Sequence, residues 1–184
     1  MHTKLIDTEI KYIGSQLAPH WIYKNFKLQG DAIVAFIGEC EVALTEMVDI
    51  EDVINNEPIY SKSMLSFITE QFNVNLVEGV FRQRLLICII KELLEERGIF
   101  VVRNGDDLMI DGRKLSVSIA TKSTTSILIH TGLNILSEGA PVKALGLTSE
   151  LGITDVKEFA LEVMKRYSEE LEDINLASTK VRGV

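Results

Sequence analysis

Little in this chain of 184 residues can cross-link or hold a metal. The two cysteines, Cys40 and Cys88, lie in dissimilar settings without metal-ligand spacing. That argues against a disulfide framework and for a reducing compartment. With only His2, His20 and His130 available, no histidine-based metal site is expected. No apolar run approaches the roughly 18 residues of a membrane span, and the opening Met-His-Thr-Lys-Leu-Ile-Asp lacks the apolar core of a secretory signal. Positive charge is also scarce. Nineteen Lys and Arg face 27 Asp and Glu, for a net charge of −8 and a pI near 5.0. A general nucleic-acid binder needs a basic face, so that class is set aside, while a local basic pocket for a phosphate stays open. The expectation is a cytoplasmic protein with neither nucleic acid nor membrane as partner.

An apolar fraction of 46% and a charged fraction of 25% are ordinary for a globular chain. The length suits one domain, residues 1–184, with a core built without staples. Residues 178–184 form a basic tip on an acidic protein. There is no internal repeat and no low-complexity tract.

The stretch from Gly105 to Asn134 carries the densest signals. Leu108–Ile110 is a short apolar run, and Asp111-Gly112 follows it, a dipeptide that tolerates positive φ at both positions of a hairpin turn. Leu115, Val117 and Ile119 alternate with Ser116, Ser118 and Ala120, the period of a half-buried strand. After a polar turn at Lys122–Thr125 comes the apolar run Ile127–Ile129. Together they read as a three-stranded antiparallel meander, with Lys114 beside its first turn and Asp106-Asp107 at its start.

Elsewhere, Leu5–Ile13 reads as an edge strand, and Leu17–Phe26 as a helix beginning around Pro19. Ala32–Ile37 is a buried strand, Gly38–Glu41 a turn, and Val42–Leu44 a segment pairing back. Asp49–Asn55 forms a short helix, and Ile59–Ile68 is extended. Asn75 caps a helix with Glu78 at its third position, and that helix runs to Arg97 before Gly98. Arg82 and Arg84 sit near its positive dipole end and so require partners. Ile99–Val102 is a strand. Gly139–Pro141 punctuates the chain, and Val142–Leu147 forms a short helix. A last helix spans Asp155–Leu171 with Thr154 as its N-cap.

Taken alone, Lys114 reads as either a cleft ammonium or a solvated turn residue. Asp106 and Asp107 read as either oxygen ligands for magnesium or a turn cap. Gly132 and Asn134 suit an ordinary turn as well as a site. Cys40 is weighed as a nucleophile, but Glu39 and Glu41 disfavour its thiolate. Cys88 and His130 read as core residues.

The order of these residues resembles the central motif of the biotin and lipoate protein ligases. An acidic pair with leucine, a short strand and a turn are followed by Arg113-Lys114-Leu115, a small-residue strand, an apolar strand and Gly132-Leu133-Asn134. Pro58–Lys62 followed by Leu65–Ile68 is similar in outline to a second lipoate-ligase segment. The whole chain also resembles an uncharacterised archaeal family placed near those ligases. The resemblance implies an α+β fold with a mixed, mostly antiparallel sheet and helices largely on one face. It implies a small carboxylate ligand (acyl, lipoyl or biotinyl), ATP and magnesium as cofactors, and an acceptor protein or partner subunit. Oligomeric state, a homo-oligomer included, stays open.

For site residues it implies Lys114 as the catalytic cation. Asp106, Asp107, Tyr60, Lys62, Ser116, Gly132 and Asn134 become substrate-binding residues. The chain departs from the pattern where the ligases place a glycine- and arginine-rich phosphate loop. Here stands Val53-Ile54-Asn55-Asn56-Glu57, without glycine or arginine. Three functions remain open at this stage: a ligase or transferase, a non-catalytic binding or regulatory module, and a protein whose phosphate contacts come from a partner chain or from Lys180 and Arg182.

Overall fold

The computed structural model describes residues 1–140 and 142–184. Pro141, part of the expected break at Gly139–Pro141, lies outside the described residues. The main sheet has five strands in the order β1 (His2–Leu5), β2 (Ala32–Val42), β3 (Ile59–Phe72), β8 (Ser126–Asn134), β7 (Ser116–Lys122). Strand β1 is parallel to β2 and the other pairs are antiparallel. A second sheet of three short strands joins β4 (Val102–Asn104), β5 (Asp107–Ile110) and β6 (Arg113–Lys114). The α+β class expected from the sequence is what is found.

Residue parity sorts the main sheet into two faces. Ile33, Ala35, Leu65, Phe67 and Leu133 point to a core completed by α3 (Leu76–Glu96) and α4 (Val156–Thr179). Val34, Phe36, Met64 and Ile68 point the other way, under α1 (Trp21–Phe26) and the N-terminal segment. The two long helices therefore share one face, which leaves the opposite face free to carry a cleft.

Helix α3 forms where its caps demand it. Asn75 Oδ1 accepts from Glu78 N at 3.0 Å, and Gly98 follows the last turn at a φ of +77°. The arginines at its positive end have partners. Arg82 donates to Glu78 and Gln71, and Arg84 to Asp106. The short helix α2 (Ile50–Asn55) lies as expected, with Asp49 Oδ1 accepting from Glu51 N and Asp52 N and with Asn56 in the left-handed region.

Several boundaries differ from the sequence reading, each for an identifiable reason. The edge strand is His2–Leu5, not Leu5–Ile13. Residues beyond it follow the edge of β2 irregularly, through Ile6 N to Ala35 O, Ile10 N to Ile37 O and Tyr12 N to Glu39 O. That same segment is why Gly38–Glu41 is not a turn. Tyr12 pairs with Cys40, and β2 continues to Val42 through a bulge between Gly38 and Cys40. A side chain at Gly38 would overlap the Ile10 backbone. Helix α1 begins at Trp21 because His20 is left-handed, at a φ of 62°. Extended pairing starts at Val102, not Ile99. The expected helix at Val142–Leu147 is absent, and instead Ala144 bridges to Lys114. Asp155, not Thr154, caps α4, and the helix runs on to Thr179, so it takes in the start of the basic tip.

The expected meander is two structures. Asp111 and Gly112 do turn with φ of 49° and 72°, but the hairpin they close, β5–β6, belongs to the small sheet. Leu115 hands the chain over. Its N–H donates to Leu108 in the small sheet, and its carbonyl accepts from Asn134 in the large one.

Candidate functional site

Where the two sheets meet, on the face away from α3 and α4, a cleft opens in two compartments with volumes of about 230 and 90 Å³. Lys114, Asp52, Ile59 and Val117 line both. Lys114 is fixed there by its backbone. Its N–H donates to Lys143 O at 2.9 Å, its carbonyl accepts from Leu145 N at 3.1 Å, and it pairs with Met109 across β5–β6. Its Nζ meets Asp107 Oδ1 at 2.9 Å, both side chains being about one-third exposed.

The larger compartment is acidic. Glu46, Asp49, Glu51, Asp52, Asp106 and Asp107 line it, and Lys114 is the one cation among the described lining residues. Three of the carboxylates arrive on α2 and its cap. Burial holds the Asp52 carboxyl above its ordinary range, and Asp49 beside it pushes the same way. Asp106 is likewise raised, mainly by burial, with the Arg84 guanidinium opposing. It accepts from Gln83 Nε2 at 2.9 Å and Arg84 Nη1 at 2.8 Å, so it ties the loop before β5 to α3. The floor is Tyr12 and His130, and the latter donates to or accepts from Ser66 Oγ at 3.3 Å. Burial pushes the His130 pKa down to about 3, so the ring is neutral.

The smaller compartment is more apolar, with Pro58, Ile59, Tyr60, Met64, Val117, Val142 and Ala144 around Ser116 and Asn134. Ser116 Oγ accepts from Leu108 N at 2.8 Å and so also braces the junction of the sheets.

Of the residues singled out from sequence, Asp106, Asp107 and Lys114 therefore converge on the larger compartment. Lys114, Tyr60, Ser116 and Asn134 converge on the smaller. Lys62 and Gly132 line neither. Lys62 is exposed and paired with Glu138 at 2.8 Å, while Gly132 makes room for the sulfur of Met64, diagonal to it on the neighbouring strand. Cys40 is buried, and burial with Glu39 nearby lifts its thiol to about 12, so it is no nucleophile at neutral pH. The acidic wall of α2 was not read from the sequence, although Asp49, Glu51 and Asp52 occupy the segment leading to the expected phosphate loop. Lys180 and Arg182 line neither compartment.

Adenylation would require a cradle for phosphates, and these residues do not fit one. Helix α2 and its cap offer the carboxylates of Asp49, Glu51 and Asp52 in place of arginine and glycine, and the one cation among the described lining residues is already paired with Asp107. Nor, among the described residues, do three or more His, Cys, Asp or Glu side chains gather closely enough to hold a metal ion. No described helix is long and apolar enough to cross a membrane.

The sequence model of a family described as "Domain of unknown function (DUF366)" matches residues 1–182. An uncharacterized protein of Methanocaldococcus jannaschii is 38% identical, over 92% of this chain and 79% of its own. A protein of unknown function from a Pyrococcus species superposes with a TM-score of 0.94 at 43% identity, covering 100% of this chain and 98% of the other. More distant structures share the fold. A putative lipoate protein ligase from T. acidophilum with bound lipoic acid has a TM-score of 0.62 at 13% identity, over 94% and 86% of the two chains. A biotin protein ligase mutant from Aquifex aeolicus in complex with biotin has a TM-score of 0.62 at 17% identity, over 94% and 70%.

Proposed function

The chain belongs to the DUF366 family, and we propose that its cleft binds a small carboxylate against Lys114. The observation that carries this reading is the position of Lys114, a backbone-clamped cation lining both compartments. An incoming carboxylate competes with Asp107 for the ammonium, while an acyl, lipoyl or biotinyl body lies among Pro58, Tyr60 and Met64. In a transfer reaction the same ammonium would stabilise charge developing on the acyl carbonyl oxygen. The acids bound by the T. acidophilum and Aquifex proteins of this fold support the ligand class. Function still has to be argued from the site, because one fold hosts many.

The acidic wall favours a specific form of this reading: the acid is bound without being adenylated. The chain then acts as a binding or regulatory module, or as a transferase receiving an already activated acyl group for an acceptor protein. The test is thermal stability with octanoate, lipoate and biotin, each with and without ATP–magnesium, since a ligand of the folded state raises the melting temperature. A shift with an acid alone, lost in Lys114→Met, is expected. An unchanged shift in Lys114→Met removes the assigned role. A shift that requires ATP as well restores the ligase reading.

A further inference from the structure

We propose a second binding site, for a small primary alkylammonium ion, in a cavity that shares no residue with the Lys114 cleft. The cavity, of about 300 Å³, is lined by His20, Tyr23, Leu28, Gly30, Glu70 and Phe72, among others. At its base lies a carboxylate that the fold leaves half satisfied. Glu70 is only 2% exposed. His20 N donates to its Oε1 at 2.8 Å, and Ser126 Oγ donates to the same oxygen at 2.7 Å. Neither bond uses Oε2, and no Lys or Arg pairs with Glu70 among the described residues.

Burying a carboxylate without a counter-charge is costly, and Oε2 keeps its lone pairs for whatever enters the cavity. The walls point to the same chemistry. The rings of His20 and Phe72 stack with centroids 5.8 Å apart, and Tyr23 lines the cavity beside them. Aromatic faces carry negative charge density and attract ammonium groups, while Leu28 offers an apolar surface to an alkyl chain. A divalent metal would want several hard oxygen ligands, whereas Glu70 is the only carboxylate among the described residues of this lining.

The experiment is an amide-resolved NMR titration of the full chain with n-butylammonium, with n-butanol as the uncharged control. Expected are saturable shifts at the His20 and Gly30 amides, absent with n-butanol. Glu70→Gln keeps an Oε1 acceptor for both hydrogen bonds but removes the charge, and should weaken binding at least about tenfold. Tyr23→Ala, at a residue 45% exposed, should weaken it without unfolding the chain, and it decides the matter if Glu70→Gln does not fold. Unchanged affinity in the variants overturns the site. So do shifts confined to the acidic cleft around Asp52 and Asp107, which the net charge of −8 alone would produce.

Discussion

The imidazole of His130 lies flat on the phenol ring of Tyr12, with centroids 3.8 Å apart and planes 17° apart. The stack seals the floor of the acidic compartment, and it keeps His130 neutral because burial strips water from the ring. The folded pKa of about 3 lies below the ordinary histidine value of 6.5, so the unfolded chain takes up a proton that the native one refuses. Stability is therefore lost as pH falls below about 6.5, by up to about 1.4 kcal/mol per pH unit from this group. His130→Phe keeps a ring on Tyr12 and removes the proton. Denaturant unfolding between pH 6.5 and 4.5 should show a slope about one proton shallower in the variant. Parallel slopes would mean that His130 is not excluded from water in the native state.

Tyr167 ties three elements together. Its hydroxyl accepts from Gln71 Nε2 at 2.9 Å, and Gln71 Oε1 accepts in turn from Arg82 Nη1 at 2.9 Å, which links α4, β3 and α3. Gln71 and Tyr167 are fully buried beneath the helices. Tyr167→Phe leaves the shape but orphans a buried amide donor, for a loss of about 1–3 kcal/mol in urea unfolding. A loss below about 0.5 kcal/mol would mean that water reaches Gln71.

Local chemistry was legible in the sequence, and long-range pairing was not. The Asn75 cap, the apolar middle of α3 and the left-handed Asp111-Gly112 turn follow from residues a few positions apart. The sheet switch at Leu115 does not, because period-two alternation is the same in whichever sheet a strand joins. Gly38–Glu41 carries turn residues, yet it stays within β2, bulged, where Cys40 bridges to Tyr12, some 28 positions away. The same contrast holds at the cleft. Asp107 and Lys114 flank one hairpin turn, and their proximity could be read directly. The carboxylates of α2 come from about 60 positions earlier and reach Lys114 only because β3 returns the chain alongside β8 and β7.

Gly132 shapes the smaller compartment indirectly. A Cβ there would overlap the sulfur of Met64, which itself lines that compartment. Gly132→Ala should destabilise the protein by about 1–3 kcal/mol through overpacking, with Met64 displaced toward the cleft. Met64→Ala alone opens a cavity and costs about 2–5 kcal/mol. The double variant should lose clearly less than the sum of the two, since each change relieves the other. Strict additivity in a double-mutant cycle would show that Gly132 and Met64 do not share this space.

If the carboxylates on α2 exclude phosphates from the cleft, neutralising them should admit an anion. Glu51→Gln with Asp52→Asn removes two charges from the compartment wall and leaves the Asp49 cap intact. Desolvation already holds the Asp52 carboxyl above its ordinary range, so the native state binds its proton more tightly than the unfolded chain. Ionisation of Asp52 therefore costs stability above that raised pKa, and the cost disappears as pH falls through it. The double variant should accordingly be slightly more stable at pH 7. The gain should stay within about 0.5 kcal/mol, because Asp52 is only partly buried, and it should shrink in acid. Pyrophosphate titrated by calorimetry should bind the variant and not the wild type, with Lys114 as the remaining cation. Equal binding to both would place anion recognition outside the acidic wall, and equal silence would mean that backbone shape, with no glycine in residues 47–57, excludes phosphate independently of charge.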